Sequence, residues 1–427
     1  MVLTFAIIVS IAFIMKITKT KILSPAGIQN AMWIFFIIGA YALLSKSYSF
    51  RNVGIIWIVA YCLINTIFYC IIDSSAIQKD TDFYSYYSNI NIPWNLLKLF
   101  IGLSFLSLLI TIVSNGISIS SINSLSSLQS TSNQIAIQHY SGDANNSTLL
   151  LLLNTFSYIT PLCSGYSLIY AINKNQKVTC FFSSVPVIVS SILTTAKSGV
   201  IAYVILFFVG YVTSYICVNH EVPLINIKVF IKIIIAFLAL MIFFYFTFWL
   251  RIGENGNLYN MIVTKLGEYA FGHIQSFDQW FSQFAFSVKP RFGASTFLAI
   301  SSKLSGQDKA AGVYDFINGS CTNVFTQFRP LIEDFTPIIA LFILLLIGAI
   351  TSFQYVELKN GRNTITCQFW FSVNMFYLLY FIISAWTYTS YMIAFFVYFI
   401  YIFFSNKVKF VSTSIFGFKT HKKFGLK

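Results

Sequence analysis

Apolar residues in this chain fall in long unbroken runs, at about 2–15, 30–44, 53–72, 94–114, 148–171, 179–195, 199–218, 229–250, 336–355, 366–384 and 389–404. Continuous oily runs of this length predict helices that are apolar all round, as bilayer-spanning segments are. A membrane β-barrel would need alternating apolar and polar positions, and the runs do not alternate. The expectation is an all-α polytopic membrane protein with about eleven transmembrane helices, the whole of 1–427 forming one integral membrane domain. The first run has no lysine before it and no small-residue cleavage site, so it reads as a retained span and not a signal peptide.

The polar breaks differ in character. The 73–93 connection sets Asp80 and Asp82 beside Tyr84, Tyr86 and Tyr87. It suits an aromatic interfacial belt, or a polar surface that contacts substrate if it faces outward. The 115–147 segment is rich in Ser and Asn and carries Asp143 as its one charged residue. It reads as a linker or a second polar outer loop, with a helical stretch around Ile135 and Ile137. The 251–335 stretch is the large loop, and its GEYAFGHIQSFDQWF segment spaces Tyr269, Phe277, Phe281 and Phe284 as an amphipathic helix would. Such a helix is expected to lie on the bilayer or to cap a cavity.

Composition supports the class. The chain is 57% hydrophobic and 9% charged, against roughly 25% charged in a soluble domain. Its net charge of +14 fits lysines held in cytoplasmic loops, and no basic face for nucleic acid is evident. Lysines of the 405–427 tail place that tail in the cytoplasm. Counting back, Lys359 with Arg362, Lys228 with Lys232, Lys174 with Lys177, and Lys16, Lys19 and Lys21 fall on the same side. The N-terminus, 115–147 and 251–335 then face out. All cysteines but Cys321 lie in or at the ends of apolar runs, without a CxxC, and read as small buried hydrophobes.

Ionisable chemistry concentrates in 251–335, which holds seven of the thirteen acidic residues: Glu254, Glu268, Asp278, Asp308, Asp315, Glu333 and Asp334. Arg251, Lys265, Lys289, Arg291, Lys303, Lys309 and Arg329 sit beside them. Lys197, in TTAKSG, is an outer interfacial cation or a snorkelling one. The four histidines are scattered and form no HExxH, so no metal site is expected, and no cofactor. Walker A, βαβ GxGxxG and GxSxG patterns are missing, so nucleotide hydrolysis and serine-esterase chemistry have no support.

Taken in order, several segments resemble the O-antigen (oligosaccharide repeat-unit) polymerases of the Wzy type. LSPAGIQNAMWIFFIIGAYALL resembles the family's early Ser-Pro and Trp-bearing span. LTTAKSGVIAYVILFF resembles its Thr-x-Ser-Arg-Gly segment, with Lys197 where arginine is usual. EYAFGHIQSFDQWF, RFGASTF and TNVFTQFRPLIEDF resemble its large outer loop. The resemblance implies a GT-C-like membrane glycosyltransferase in the bacterial inner membrane, transferring a glycan from undecaprenyl diphosphate to a new lipid-linked repeat unit. It implies lipid-linked oligosaccharides and a chain-length regulator as partners. Cations at the leaving diphosphate would then be Lys197, Arg251, Arg291 and Arg329. Candidates for the base, or for contacts around it, are Glu268, His273, Asp278, Asp315, Glu333 and Asp334. Tyr269, Tyr314, Asn323 and Glu268 are candidate substrate contacts. An O-antigen ligase, a lipid-linked oligosaccharide flippase and a receptor or structural role are the competing readings.

Overall fold

A computed structural model describes residues 1–75, 90–117, 124–141, 148–252, 258–305, 315–317, 320–322 and 324–406. The protein is built from helices. In chain order these are α1 (Val2–Ile17), α2 (Pro25–Leu44), α3 (Val53–Ser75), α4 (Trp94–Ser114), α5 (Leu125–Ser141), α6 (Thr148–Asn154), α7 (Phe156–Leu168), α8 (Lys174–Phe182) and α9 (Val185–Thr194). Then come α10 (Ser198–Asn219), α11 (Ile227–Ile252), α12 (Leu258–Phe284), α13 (Leu298–Ser305), α14 (Phe328–Lys359), α15 (Ile365–Leu379) and α16 (Thr389–Ser405). β1 (Asp315–Ile317) pairs antiparallel with β2 (Ser320–Thr322), Phe316 opposite Cys321.

Each apolar run is largely helical, though α15 ends at Leu379 and leaves 380–384 of its run outside a helix, and α8 and α9 divide the 179–195 run. Among the described residues, seven helical stretches are long and apolar enough to cross a membrane: α2, α3, α4, α8 with α9, α10, α11 and α14. Helix α1, α15 and α16 are apolar but shorter. The 148–171 run is divided at Thr155 into α6 and α7. Local chemistry sets several starts. Ser24 accepts from Gly27 N at the head of α2 with Pro25 behind it, Asn173 and Gln176 form a capping box on α8, and Thr364 accepts from Cys367 N on α15.

Small residues allow the closest approaches. A Cβ on Gly210 would come 2.2 Å from Leu162 O, and one on Gly165 2.0 Å from Phe207 O, so α7 and α10 touch backbone to backbone. Amides tie α2 to α3 inside the core: Asn65 Nδ2 donates to Gln29 Oε1 at 2.6 Å and Asn30 Nδ2 to Thr66 Oγ1 at 2.7 Å.

The bundle has two distinct ends. At one, Lys359 meets Asp73, Lys21 meets Glu221, and Asn91 N donates to Ser405 O. At the other, Tyr48 meets Glu268, Gln129 meets Trp249 O, and Ser384 meets Thr296 O. We call these the near and far ends.

Helix α12 departs from expectation. It is amphipathic, yet it does not lie outside the bundle: it packs against α2 and α3. A Cβ on Gly39 would strike the Phe271 ring, and one on Gly54 would come 2.9 Å from Asp278 Cα. Phe277 and Phe281 are buried, and so are the polar Gln275, Ser276, Asp278 and Gln279. The helix is inserted because its polar residues find partners among the helix ends it meets.

Candidate functional site

The charged residues singled out in the sequence gather at the far end, strung along α12. From Glu268 to Trp280 the helix rises roughly 18 Å, and three groups sit along that length.

The first is built around Lys197, which precedes α10 just after the left-handed Thr195 (φ 53°) at the end of α9. Its ammonium lies 3.7 Å from the Phe248 ring centroid and 5.5 Å from that of Tyr269. The two rings stand edge to face at 4.8 Å. This arrangement brings α9, α10, α11 and α12 to one cation, held against aromatic faces. Glu268, next to Tyr269, accepts from Tyr48 Oη at 2.8 Å. Burial, and then the neighbouring carboxylate, push the Tyr48 hydroxyl above its ordinary pKa, so it remains a donor.

The middle group is His273. Its side chain is 2% exposed, and neither ring nitrogen has a hydrogen-bond partner. The Phe36 and Phe381 rings stand 4.8 and 5.2 Å away. Burial pushes its pKa down to about 3, so the imidazole is neutral and weakly basic near neutral pH. In this enclosure it is poorly suited to take a proton from a hydroxyl.

At the third group, the Arg329 guanidinium stacks on Phe325 at 4.2 Å and Trp280 at 5.2 Å, and its Nε donates to Glu333 Oε1 at 2.7 Å. Asp334 closes the 291–297 turn: its carboxylate accepts from Ser295 N at 2.9 Å and Thr296 N at 2.6 Å, and its carbonyl from Phe292 N. Arg291 stands exposed at the start of that turn. Just beyond Asp334, α14 breaks at Thr336 (φ 66°, ψ 161°) before Pro337, a backbone state that costs a non-glycine residue about 1–3 kcal/mol.

Asp278 belongs to none of these groups. Its oxygens accept from Asn52 N at 2.8 Å, Gly54 N at 2.9 Å and Ile55 N at 3.4 Å. It caps α3 from another helix, supplying acceptors the first turn lacks. Desolvation raises its pKa above the usual carboxylate range, and those backbone donors pull the other way. Asp278 and Asp334, both expected as candidate bases, thus have their oxygens committed to backbone N–H groups and act as positioning residues. Glu268 and Glu333 are the carboxylates left on side-chain partners. Arg251 lies in the last turn of α11 and Asp315 in β1, with side chains outside the described residues. Tyr314, Asn323, Asp80, Asp82 and the tail from 407 also lie outside them. Among the described residues no group of three His, Cys, Asp or Glu is placed to hold a metal ion.

Sequence reading missed Tyr48, Phe248, Trp280 and Phe325, the residues that orient Glu268, Lys197 and Arg329. Tyr48 is 220 residues from its partner, and no local pattern marks it. Trp280 carried a usable signal, since FDQWF sits on the same helix as Glu268. No protein-family model matches the chain, and neither a curated protein nor a solved structure is significantly similar to it.

Proposed function

We propose that this protein is a membrane glycosyltransferase of the O-antigen polymerase type, moving a growing glycan from undecaprenyl diphosphate to a new lipid-linked repeat unit. In this reading the chain crosses the bacterial inner membrane eleven times in a GT-C-like arrangement. The far end faces outward, and the near end and C-terminus face the cytoplasm. Support for an odd number of crossings comes from the ends themselves: Phe5 of α1 stacks on Tyr41, whose hydroxyl reaches Asn52 at the far end, while Ser405 lies at the near end.

The observation that carries the proposal is the pairing, at one end of the bundle, of an aromatic-held cation, Lys197, with the tyrosine-bonded carboxylate of Glu268 beside Tyr269. Glycosyl transfer from a lipid diphosphate needs both. The acceptor hydroxyl oxygen bonds to the anomeric carbon, and the bond from that carbon to the diphosphate breaks. The hydroxyl proton passes to Glu268, and the bonding electrons leave with the diphosphate. Lys197, aided by Arg329, Arg291 and Arg251, offsets the charge that builds on that leaving group. Both substrates are tethered in the same membrane, so a site at a span end restricts their encounter to two dimensions. Tyr269 and Tyr314, with Asn323, Asp315 and Glu333, supply sugar contacts. A chain-length regulator is the expected protein partner.

Gel laddering of lipopolysaccharide tests this in a deletion strain complemented with Lys197→Met or Glu268→Gln. The expected result is loss of the ladder with the single-unit cap retained, a drop in polymerisation of about 10²-fold or more. Full ladders from both variants would overturn the assignment. Loss of the cap in the deletion itself would favour a ligase or a flippase.

A further inference from the structure

The segment after α12 holds a surface that the chemistry above leaves unused. Phe286, Phe292 and Leu304 are 73%, 83% and 83% exposed. Phe297 and Ile300 are exposed with them. Phe297 just before α13 and positions 300 and 304 on it follow helical spacing and share one face. The opposite side is tied down: Ala299 is buried, and α13 packs on the 3-10 turn Ala385–Thr387. Interleaved with the apolar residues are Lys289, Arg291 and Lys303, all exposed. The amphipathic element therefore turns its apolar face outward, and among the described residues nothing covers it.

The height of this surface follows from Asp334, which bonds the backbone at 292, 295 and 296. Four residues further on, past the break at Thr336 and so at most about 14 Å away, Ile338 begins the apolar face of α14, continued by Ile339 and Phe342. The 286–304 segment is thus tied within four residues of the start of the apolar face of α14. Exposed aromatic and aliphatic residues alternating with cations at that level match the headgroup layer of a bilayer, apolar below and anionic above.

We propose that 286–304 is an interfacial anchor. Phe292, Phe297, Ile300 and Leu304 enter the far-end leaflet, and Lys289 and Lys303 bind phosphates of anionic phospholipids. The anchor fixes the level of the 291–297 turn and is independent of the reaction catalysed.

Photocrosslinking tests it on the full chain in nanodiscs of phosphatidylcholine, alone or mixed with phosphatidylglycerol. The photoreactive residue p-benzoylphenylalanine is placed at 292, 300 or 304, with 342 in the α14 span as the positive control. The expected result is phospholipid adducts at all three positions, with phosphatidylglycerol enriched above its share of the bilayer. The double substitution Lys289→Gln with Lys303→Gln should erase that enrichment and leave the adducts. Adducts at 342 but none at 292, 300 and 304, or adducts there to peptide, would overturn the proposal. Adducts without anionic enrichment would overturn its phosphate-binding half.

Discussion

The two ends of the bundle use carboxylates in different ways. At the near end Asp73, Glu221 and Glu357 each pair with a lysine or arginine: Lys359 at 2.9 Å, Lys21, and Arg362 at 2.7 Å. These groups are partly exposed, and such pairs contribute little. At the far end Asp278 and Asp334 are fully buried and bind backbone N–H groups, each across a long sequence interval. One end trims its surface charge. The other uses two of its carboxylates to hold inserted pieces, α12 and the 291–297 turn, while Glu333 pairs with Arg329 at 2.7 Å and Glu268 accepts from Tyr48.

The sharpest way to break this contrast is Asp278→Ala. It strips acceptors from three N–H groups at the head of α3 and unseats α12. The expected loss is about 3 kcal/mol or more, seen as a large fall in thermal midpoint or as failure to accumulate. Asp278→Asn keeps one acceptor oxygen and should lose less. A change within about 0.5 kcal/mol for Asp278→Ala would mean that the far-end carboxylates are no more structural than the near-end ones.

His273 sharpens the comparison through pH. Its folded pKa lies near 3, below the ordinary value of 6.5, so the unfolded chain binds more protons between those limits. The stability due to keeping this imidazole neutral is complete above about pH 6.5 and is lost as pH falls towards 3. The slope approaches 1.4 kcal/mol per pH unit at most, or about 2 kcal/mol by pH 5. Thermal melts in detergent across pH 5 to 8 check this, and His273→Phe should flatten the curve over that window. An unchanged slope in the variant would show that the imidazole is not held neutral.

Much of the fold was legible because burial in lipid demands unbroken apolar runs, and every such run is largely helical. The placement of α12 was not. Its polar residues are buried because two of them find partners far along the chain: Asp278 accepts from the N–H groups of Asn52, Gly54 and Ile55, and Gln279 donates to Ser49 O. Those contacts span more than 220 residues, beyond any periodicity argument. Amphipathic spacing pointed to 268–284 as a helix lying on the bilayer or capping a cavity; α12 packs against α2 and α3, and an exposed apolar face is found on α13, too short at eight residues to register as a helical period. For the candidate site, residue type alone pointed to Lys197, Glu268 and Arg329, while Phe248 and Phe325, which lie against two of them, were hidden among 46 phenylalanines.

The smallest effect is expected at the near end, where a double-mutant cycle on Lys359 and Asp73 isolates their coupling. Both side chains are about a third or more exposed, so water and salt screen the attraction and side-chain entropy opposes it. The coupling should be under about 1 kcal/mol and shrink further in high salt. The pair also ties α14 to α3, the same two helices that Trp57 Nε1 and Pro337 O join towards the far end. If the ion pair itself held that packing, its coupling would persist in salt and rival the loss from Asp278→Ala. If close packing of the buried cores of α3 and α14 holds it, as the fit of Gly348 against Asn65 implies, each single variant should melt within a few degrees of the parent.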